Sequence, residues 1–357
     1  MDTRTPSVLR TFALIFVAMA ALFAADTFLA KAEDAARRSE ARRLFQEGRW
    51  LEAHGRLPEA IDRLRTAVSN VRGDREYQLA LAQALLAAGR VPEAESSLTD
   101  LLERDSTGGV PNLTMARLLV KSGRIPEAIS YYHRAIYGQW KDDEAGNRVK
   151  ARFELVDLLV RQDEKRALLA ELLPLQDEAP SDTETHMRIG RLFLAAGAPS
   201  RAAEVFRSIL HRQPEDADAY AGFGEAEFAL GKYRAAQLDF AVASHLGPGD
   251  AQISAQLALC AQVLALDPVR RGIGPAEQRQ RSRKLIELTL AEAQRCAGAA
   301  PPQPLVALMK KARNPGADVD ANLDLAERLW QARRAECGAA TSPADQALAL
   351  VMAKLAQ

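Results

Sequence analysis

The chain holds three cysteines and five histidines, few enough to weigh one by one. Cys260 lies inside the apolar run LALCAQVL and reads as a core residue. Cys296 and Cys337 each close a basic stretch, QRC and RRAEC, and in an oxidising compartment they are candidates for a disulfide. No CxxC occurs, so zinc and thioredoxin-type redox chemistry both lack their ligand pair. His54, His133, His186, His211 and His245 are scattered and form no H-E-x-x-H. The stretch GFGEAEFALGKY approaches a phosphate loop. It fails because Ala226 stands where the first glycine is needed, and Tyr233 where a hydroxyl would meet Mg²⁺. No G-x-S-x-G elbow is present. The residues therefore assemble no catalytic, cofactor or metal constellation. An enzyme with its site in the C-terminal third is the least favoured reading.

What remains is binding, and charge limits the partner. Basic and acidic residues balance at 47 each, so no basic field favours nucleic acid. Of the 357 residues, 48% are apolar, enough for an extensive core. Ala, Leu, Glu and Arg dominate, and runs of β-branched residues with period two are absent, so the expectation is all-α.

Residues 12–25, FALIFVAMAALFAA, follow Arg4 and Arg10 and precede Ala30-Lys31-Ala32. The order basic, apolar, small-x-small is that of a cleaved export signal. The apolar run alone is shorter than a bilayer span of about 20 residues; the alternative is an uncleaved anchor from Val8 to Ala30, which crosses Arg10 and Asp26 and is of marginal length. Lys31, Arg37, Arg38, Arg42 and Arg43 crowd its C-terminal flank, which for an anchor would favour a cytoplasmic body. The expected location is exported, either periplasmic or secreted, or attached to the inner membrane through this segment alone.

Self-similarity governs the rest. Six segments align on Ala60, Ala94, Ala128, Leu168, Ala202 and Ala236, at steps of 34, 34, 40, 34 and 34 residues. The insertion GQWKDDEAGN accounts for the longer step. Five residues before each anchor stands Gly55, Gly89, Gly123, Asp163, Gly197 or Gly231, placed for a tight turn between two helices. The turn phrases are near copies: GRLPEA, GRVPEA, GRIPEA, GAPSRA and GKYRAA. Four residues past the anchors come Leu64, Leu98, Tyr132, Leu172, Phe206 and Phe240. Seven past them come Ala67, Leu101, Ala135, Leu175, Ile209 and Ala243, on the same helical face. Twelve before them are the small residues Gly48, Ala82, Ala116, Gly190 and Gly224, with Val156 the exception. Glycine at this interval excludes a coiled coil.

Over residues 41–250 this pattern resembles the tetratricopeptide repeat (TPR) family. The resemblance implies a right-handed α-α superhelix, a TPR solenoid of six repeats whose inner groove holds a peptide or a partner helix. Residues 1–32 would be the signal or anchor, and residues 251–357 capping helices or a small helical domain. Beyond 250 helices are expected over 251–266, from about 276 to 296, over 318–337 and over 343–356, with AGAAPPQP as a breaker.

Carried onto this numbering, the family's groove positions on each first helix are three sets. The fifth positions are Phe45, Leu79, Leu113, Phe153, Met187 and Ala221. The ninth are Arg49, Gln83, Arg117, Asp157, Arg191 and Glu225. The twelfth are Glu52, Leu86, Val120, Val160, Leu194 and Phe228, with Lys121 and Lys150 nearby. The implied groove has apolar strips beside a broken basic row led by Arg49, Arg117 and Arg191. Its expected partner is a protein or peptide, amphipathic and carrying acidic residues. Some fifth-position side chains could instead pack against the neighbouring repeat. The Lys-Asn carboxylate clamp of chaperone-binding members is not implied, because the fifth positions here are apolar. Self-association is the competing expectation, and no cofactor is called for.

Overall fold

The computed structural model describes residues 5–296, 302–338 and 343–356. The side chains of residues 5–11, 13, 296, 337 and 343–345 lie outside that description, and with them the pairing of Cys296 with Cys337. Regular structure among the described residues is seventeen α-helices and one isolated bridge. The chain divides into two compact units, residues 1–157 and 158–357.

The first unit holds α1 (Thr5–Ala53), α2 (Leu57–Asn70), α3 (Arg75–Ala87), α4 (Val91–Arg104), α5 (Gly109–Lys121), α6 (Ile125–Ile136) and most of α7 (Glu144–Arg161). The second holds the end of α7, then α8 (Lys165–Glu178), α9 (Thr183–Ala195), α10 (Pro199–Arg212), α11 (Ala217–Ala229), α12 (Tyr233–Leu246) and α13 (Ala251–Leu266). It closes with α14 (Pro275–Cys296), α15 (Gln303–Ala312), α16 (Val319–Cys337) and α17 (Pro343–Leu355).

Within each unit, successive helices pair as hairpins, α1 with α2, α3 with α4, α5 with α6, α9 with α10 and α11 with α12. The turn residues explain why. Gly55, Gly89, Gly123, Gly197 and Gly231 all have φ between 71° and 75°, and Asp163 has φ 54°. Left-handed backbone at these points lets the chain reverse in a Schellman-type closure. The next residue then donates its N–H to a buried carbonyl four positions before the turn residue. The six bonds are Arg56 to Leu51, Arg90 to Leu85, Arg124 to Leu119, Glu164 to Leu159, Ala198 to Phe193 and Lys232 to Glu227, at 2.9–3.1 Å. Asp163 occupies this conformation with a side chain, at a cost glycine avoids. Pro58, Pro92, Pro126 and Pro199 sit in the first turn of a second helix, where a missing N–H breaks no bond. Asp74, Asp182, Asp216 and Asp250 cap α3, α9, α11 and α13 with side-chain oxygens.

Hairpins are held by small residues facing large ones. Every anchor, from Ala60 to Ala236, is at most 2% exposed. A Cβ on Gly48 would lie 2.7 Å from Leu64 Cγ, and one on Gly224 2.9 Å from Phe240 Cδ1. Phe206 is confined on two sides: a Cβ on Gly190 would come within 2.7 Å of its ring, and one on Gly222, in the following hairpin, within 2.5 Å. The insertion after α6 is folded back by Trp140, which covers Gly109 and donates Nε1–H to the Ala135 carbonyl at 3.0 Å.

α1 runs unbroken for 49 residues, about 74 Å at 1.5 Å per residue. Its C-terminal half is the first helix of the first hairpin, with Ala41, Leu44 and Leu51 buried. Its N-terminal half is long and apolar enough to cross a membrane, and no protein covers it. Phe16, Leu22, Phe23 and Phe28 are each at least 71% exposed.

In the C-terminal third, α14 and α15 pack on α16, while α17 returns to pack on α13. Tyr233, Val263, Leu285, Leu329, Trp330, Leu348 and Val351 share one core. Lys354 Nζ reaches buried Asp267 Oδ2 at 2.5 Å, and Arg281 donates to the carbonyls of Leu264 and Asp267, tying the end of α13 to α17 and α14. α15 is a helix that the sequence reading did not anticipate. Its prolines, Pro302 at the N-cap and Pro304 in the first turn, start a helix where they were read only as a break.

One hairpin position breaks its own rule. Nine residues before the anchors stand Leu51, Leu85, Leu119, Leu159 and Phe193, all buried, but in the sixth copy Glu227. Glu227 is 5% exposed; Oε1 meets Lys232 Nζ at 3.3 Å and Oε2 has no partner among the described residues. Burial, reinforced by the Glu227 charge, pushes the Asp239 carboxyl up to about 6.

Two outcomes follow from this packing. Gly222→Ala should destabilise the protein by about 1–3 kcal/mol, the usual cost of overpacking. The double variant Gly222→Ala, Phe206→Leu should lose less than the two single changes summed, measured by urea denaturation. Asp239 binds its proton more tightly folded than unfolded, so between about pH 4 and 6 the folded state holds more protons and stability falls as pH rises. Asp239→Asn should therefore raise Tm at pH 7.5 and leave it nearly unchanged at pH 4, relative to wild type in parallel melts.

Candidate partner-binding face

The first helices of consecutive hairpins place equivalent residues side by side. In the first unit, Arg49 Nη1 donates to Gln83 Oε1 at 3.3 Å, a contact between ninth positions 34 residues apart. Lys121 Nζ donates to the Leu86 carbonyl at 3.1 Å across the next pair of repeats. A 34-residue period thus becomes a continuous strip along one side of this unit.

The strip is less open and less basic than the residue types suggest. Phe45 stacks on Tyr77 of the next hairpin, ring centroids 4.8 Å apart, and is half-buried. Leu113 is only 6% exposed; Leu79, Leu86, Val120 and Phe153 are half-buried. Arg49 also bonds Glu52 at 2.7 Å. Arg117 holds Glu154 through two bonds of 2.6 and 2.9 Å, with Tyr132 Oη donating to the same carboxylate at 3.4 Å. A bidentate guanidinium–carboxylate pair leaves little of the Arg117 charge for a ligand. Lys150 is exposed, and Asp157 is half-buried at the end of this unit.

The second unit carries its own set of these positions, with a freer charge. Met187 is buried at 7% exposure, while Leu194, Ala221 and Phe228 are half-buried and Val160 is exposed at 40%. Arg191 is exposed and makes no side-chain hydrogen bond among the described residues. It borders a hollow floored by Met187 and Leu192 and edged by Arg188, Asp216 and Asp218. Glu225, the next ninth position, is held above the usual carboxylate range by burial, an effect Arg191 partly offsets.

Elsewhere the charges form a ladder on the second helices. Arg56, Arg90 and Arg124 each pair with the glutamate three residues on, Glu59, Glu93 and Glu127, and hold those carboxyls below their ordinary range. Arg124 also reaches Glu95, and Arg65 reaches Glu93, linking successive repeats. These pairs are solvent-exposed and add little stability. Among the described residues no three His, Cys, Asp or Glu side chains converge as metal ligands.

Sequence reasoning missed Glu154, the partner that neutralises Arg117, because its position lies outside the groove set. It also missed the buried Glu227, although the signal was present: one carboxylate where five copies carry Leu or Phe.

The tetratricopeptide repeat family matches residues 45–108 and 187–251. Among solved structures, YrrB, a TPR protein with an unusual peptide-binding site, is 18% identical over 54% of this chain and 95% of its own, with a TM-score of 0.42. The C-terminal part of a TPR repeat-containing protein from Cytophaga hutchinsonii is 13% identical over 68% of this chain and 95% of its own, TM-score 0.47. PilW, a type IV pilus biogenesis factor, is 16% identical over 60% of this chain and 96% of its own, TM-score 0.40. No curated protein matches the sequence. The two matched segments, residues 45–108 and 187–251, are therefore tetratricopeptide repeats, in phase with hairpins that share one left-handed turn.

Proposed function

We propose that the chain is a non-enzymatic scaffold attached to a membrane, which holds a peptide or helix of a protein partner on its first-helix face. The observation that carries this reading is Arg191, an exposed guanidinium beside the Met187 hollow and the half-buried Leu194. An exposed guanidinium that closes no hydrogen bond of its own among the described residues, set between apolar side chains and a mixed-charge rim, suits an amphipathic segment with an acidic residue. Arg49 and Arg117 are given a different part. Each already holds a carboxylate of its own unit, so they order the face instead of selecting the ligand.

The bare apolar half of α1 supports the membrane part of the proposal. Each large apolar side chain moved out of water gains about 1.5–3 kcal/mol, and no protein surface supplies that burial here. The helix continues through Ala30-Lys31-Ala32 into the first hairpin. That continuity supports reading the segment as an anchor and not as a signal removed after export.

The test is affinity capture from detergent-solubilised native membranes, comparing wild type with Arg191→Glu of equal helicity by circular dichroism. The expected result is a stoichiometric partner recovered with wild type and reduced at least tenfold with Arg191→Glu. Equal recovery would remove Arg191 from the binding face, and a chain recovered only with copies of itself would replace the scaffold by self-assembly.

A further inference from the structure

The second unit contains a cleft of about 550 Å³ that belongs to no repeat. It lies between α13, α16 and α17, with Phe228 from the end of α11 at its edge. Leu259, on α13, is 34 residues beyond Glu225 and so continues the ninth-position row, but the helix that follows, α14, packs mainly on α16 and does not close a hairpin with α13. α17 packs on α13 instead, and it lines the cleft with Ala349 and Ala353, four residues apart on one side of the helix, beside Leu350 and Met352, with Ala356 just past its end. Small residues there leave open the space that larger ones would fill.

The lining is chemically specific. Its floor is apolar: Phe228, Leu259, Trp330 and Met352, with Phe228 fixed edge-on to Tyr233 at 5.2 Å between centroids. Its walls carry amides. Gln256 has a buried Oε1 with no partner among the described residues, and rotating that amide into the cleft would let it accept an N–H. Gln331 uses its Nε2 on Glu327 at 3.1 Å and keeps its own oxygen available. Gln346 is exposed at the rim. Amides that both donate and accept match an extended peptide backbone. Glu327 and Arg334 stand seven residues apart on α16, about 10 Å along the axis, with Trp330 and Gln331 between them. An extended chain covers that distance in about three residues.

We infer that this cleft binds an extended stretch of a protein partner with one large apolar side chain on the floor, a basic residue beside Glu327 and an acidic residue beside Arg334. The site meets the first-helix face at Phe228 and at Leu259, which extends its ninth-position row, and is otherwise built from α16, α17 and Gln256. It gives the C-terminal third a binding role of its own.

The experiment is fluorescence polarisation of a dye-labelled Lys-Phe-Ala-Glu peptide with the full chain in detergent. Saturable binding is expected. Replacing the peptide's phenylalanine by glycine should weaken it at least tenfold, as should Ala353→Phe, which fills the cleft from an exposed position. Arg334→Glu, a surface change that leaves the core intact, should weaken Lys-Phe-Ala-Glu and strengthen Lys-Phe-Ala-Lys. Absence of saturable binding to wild type, or equal binding by Ala353→Phe and wild type, would overturn the inference. An unchanged charge preference in Arg334→Glu would overturn the assigned polarity.

Discussion

Everything in the array depends on how a hairpin closes. A single residue in left-handed conformation reverses the chain, and the N–H after it donates to the backbone carbonyl of a buried residue four positions before the turn. The bond fixes the angle at which the second helix leaves. That angle brings a residue without bulk against a large one, Gly48 against Leu64, Gly190 against Phe206 and Gly224 against Phe240. Close packing makes such contacts intolerant of even one methyl group. Because each contact is local, the same hairpin can be repeated without redesigning a global core.

Repetition at one spacing also makes the strip that we propose for binding. Ninth positions meet at Arg49 and Gln83, and the neighbouring strip carries half-buried apolar side chains. Yet the face is not uniformly available. In the first unit its arginines are occupied by Glu52 and Glu154, while in the second Arg191 is left to solvent. The C-terminal third then departs from repetition. α17, not the next helix in sequence, covers α13, and the alanines on its inner side leave a cleft. Chain-specific recognition is most readily built where the repeat rule lapses, because residues there are freed from the packing contact.

Much of this was legible in the sequence. The turn residues, the six anchors and the large residues four beyond them were all readable from spacing. Those positions are set by backbone conformation and by volume, which a residue's type records directly. Even Asp163 was readable as the glycine substitute, since aspartate tolerates the left-handed region better than most residues. The charged face was legible only in part. The sequence places Arg117 on the face but does not say that Glu154, from the next first helix, will reach it. α15 was hidden because proline marks helix starts as well as breaks. The cleft was hidden because it depends on which distant helix returns to α13, a contact between residues about 90 apart that no local period encodes.

The most direct measurement of the account is site-resolved hydrogen exchange at the residue after each turn: Arg56, Arg90, Arg124, Glu164, Ala198 and Lys232. These amides sit in tight turns at the surface, yet each donates to the carbonyl of a buried residue. The account predicts exchange slowed to the level of the helix interiors flanking them, at all six positions. Exchange as fast as in an unprotected loop would contradict it, because the hairpins would then be held by something other than their turns.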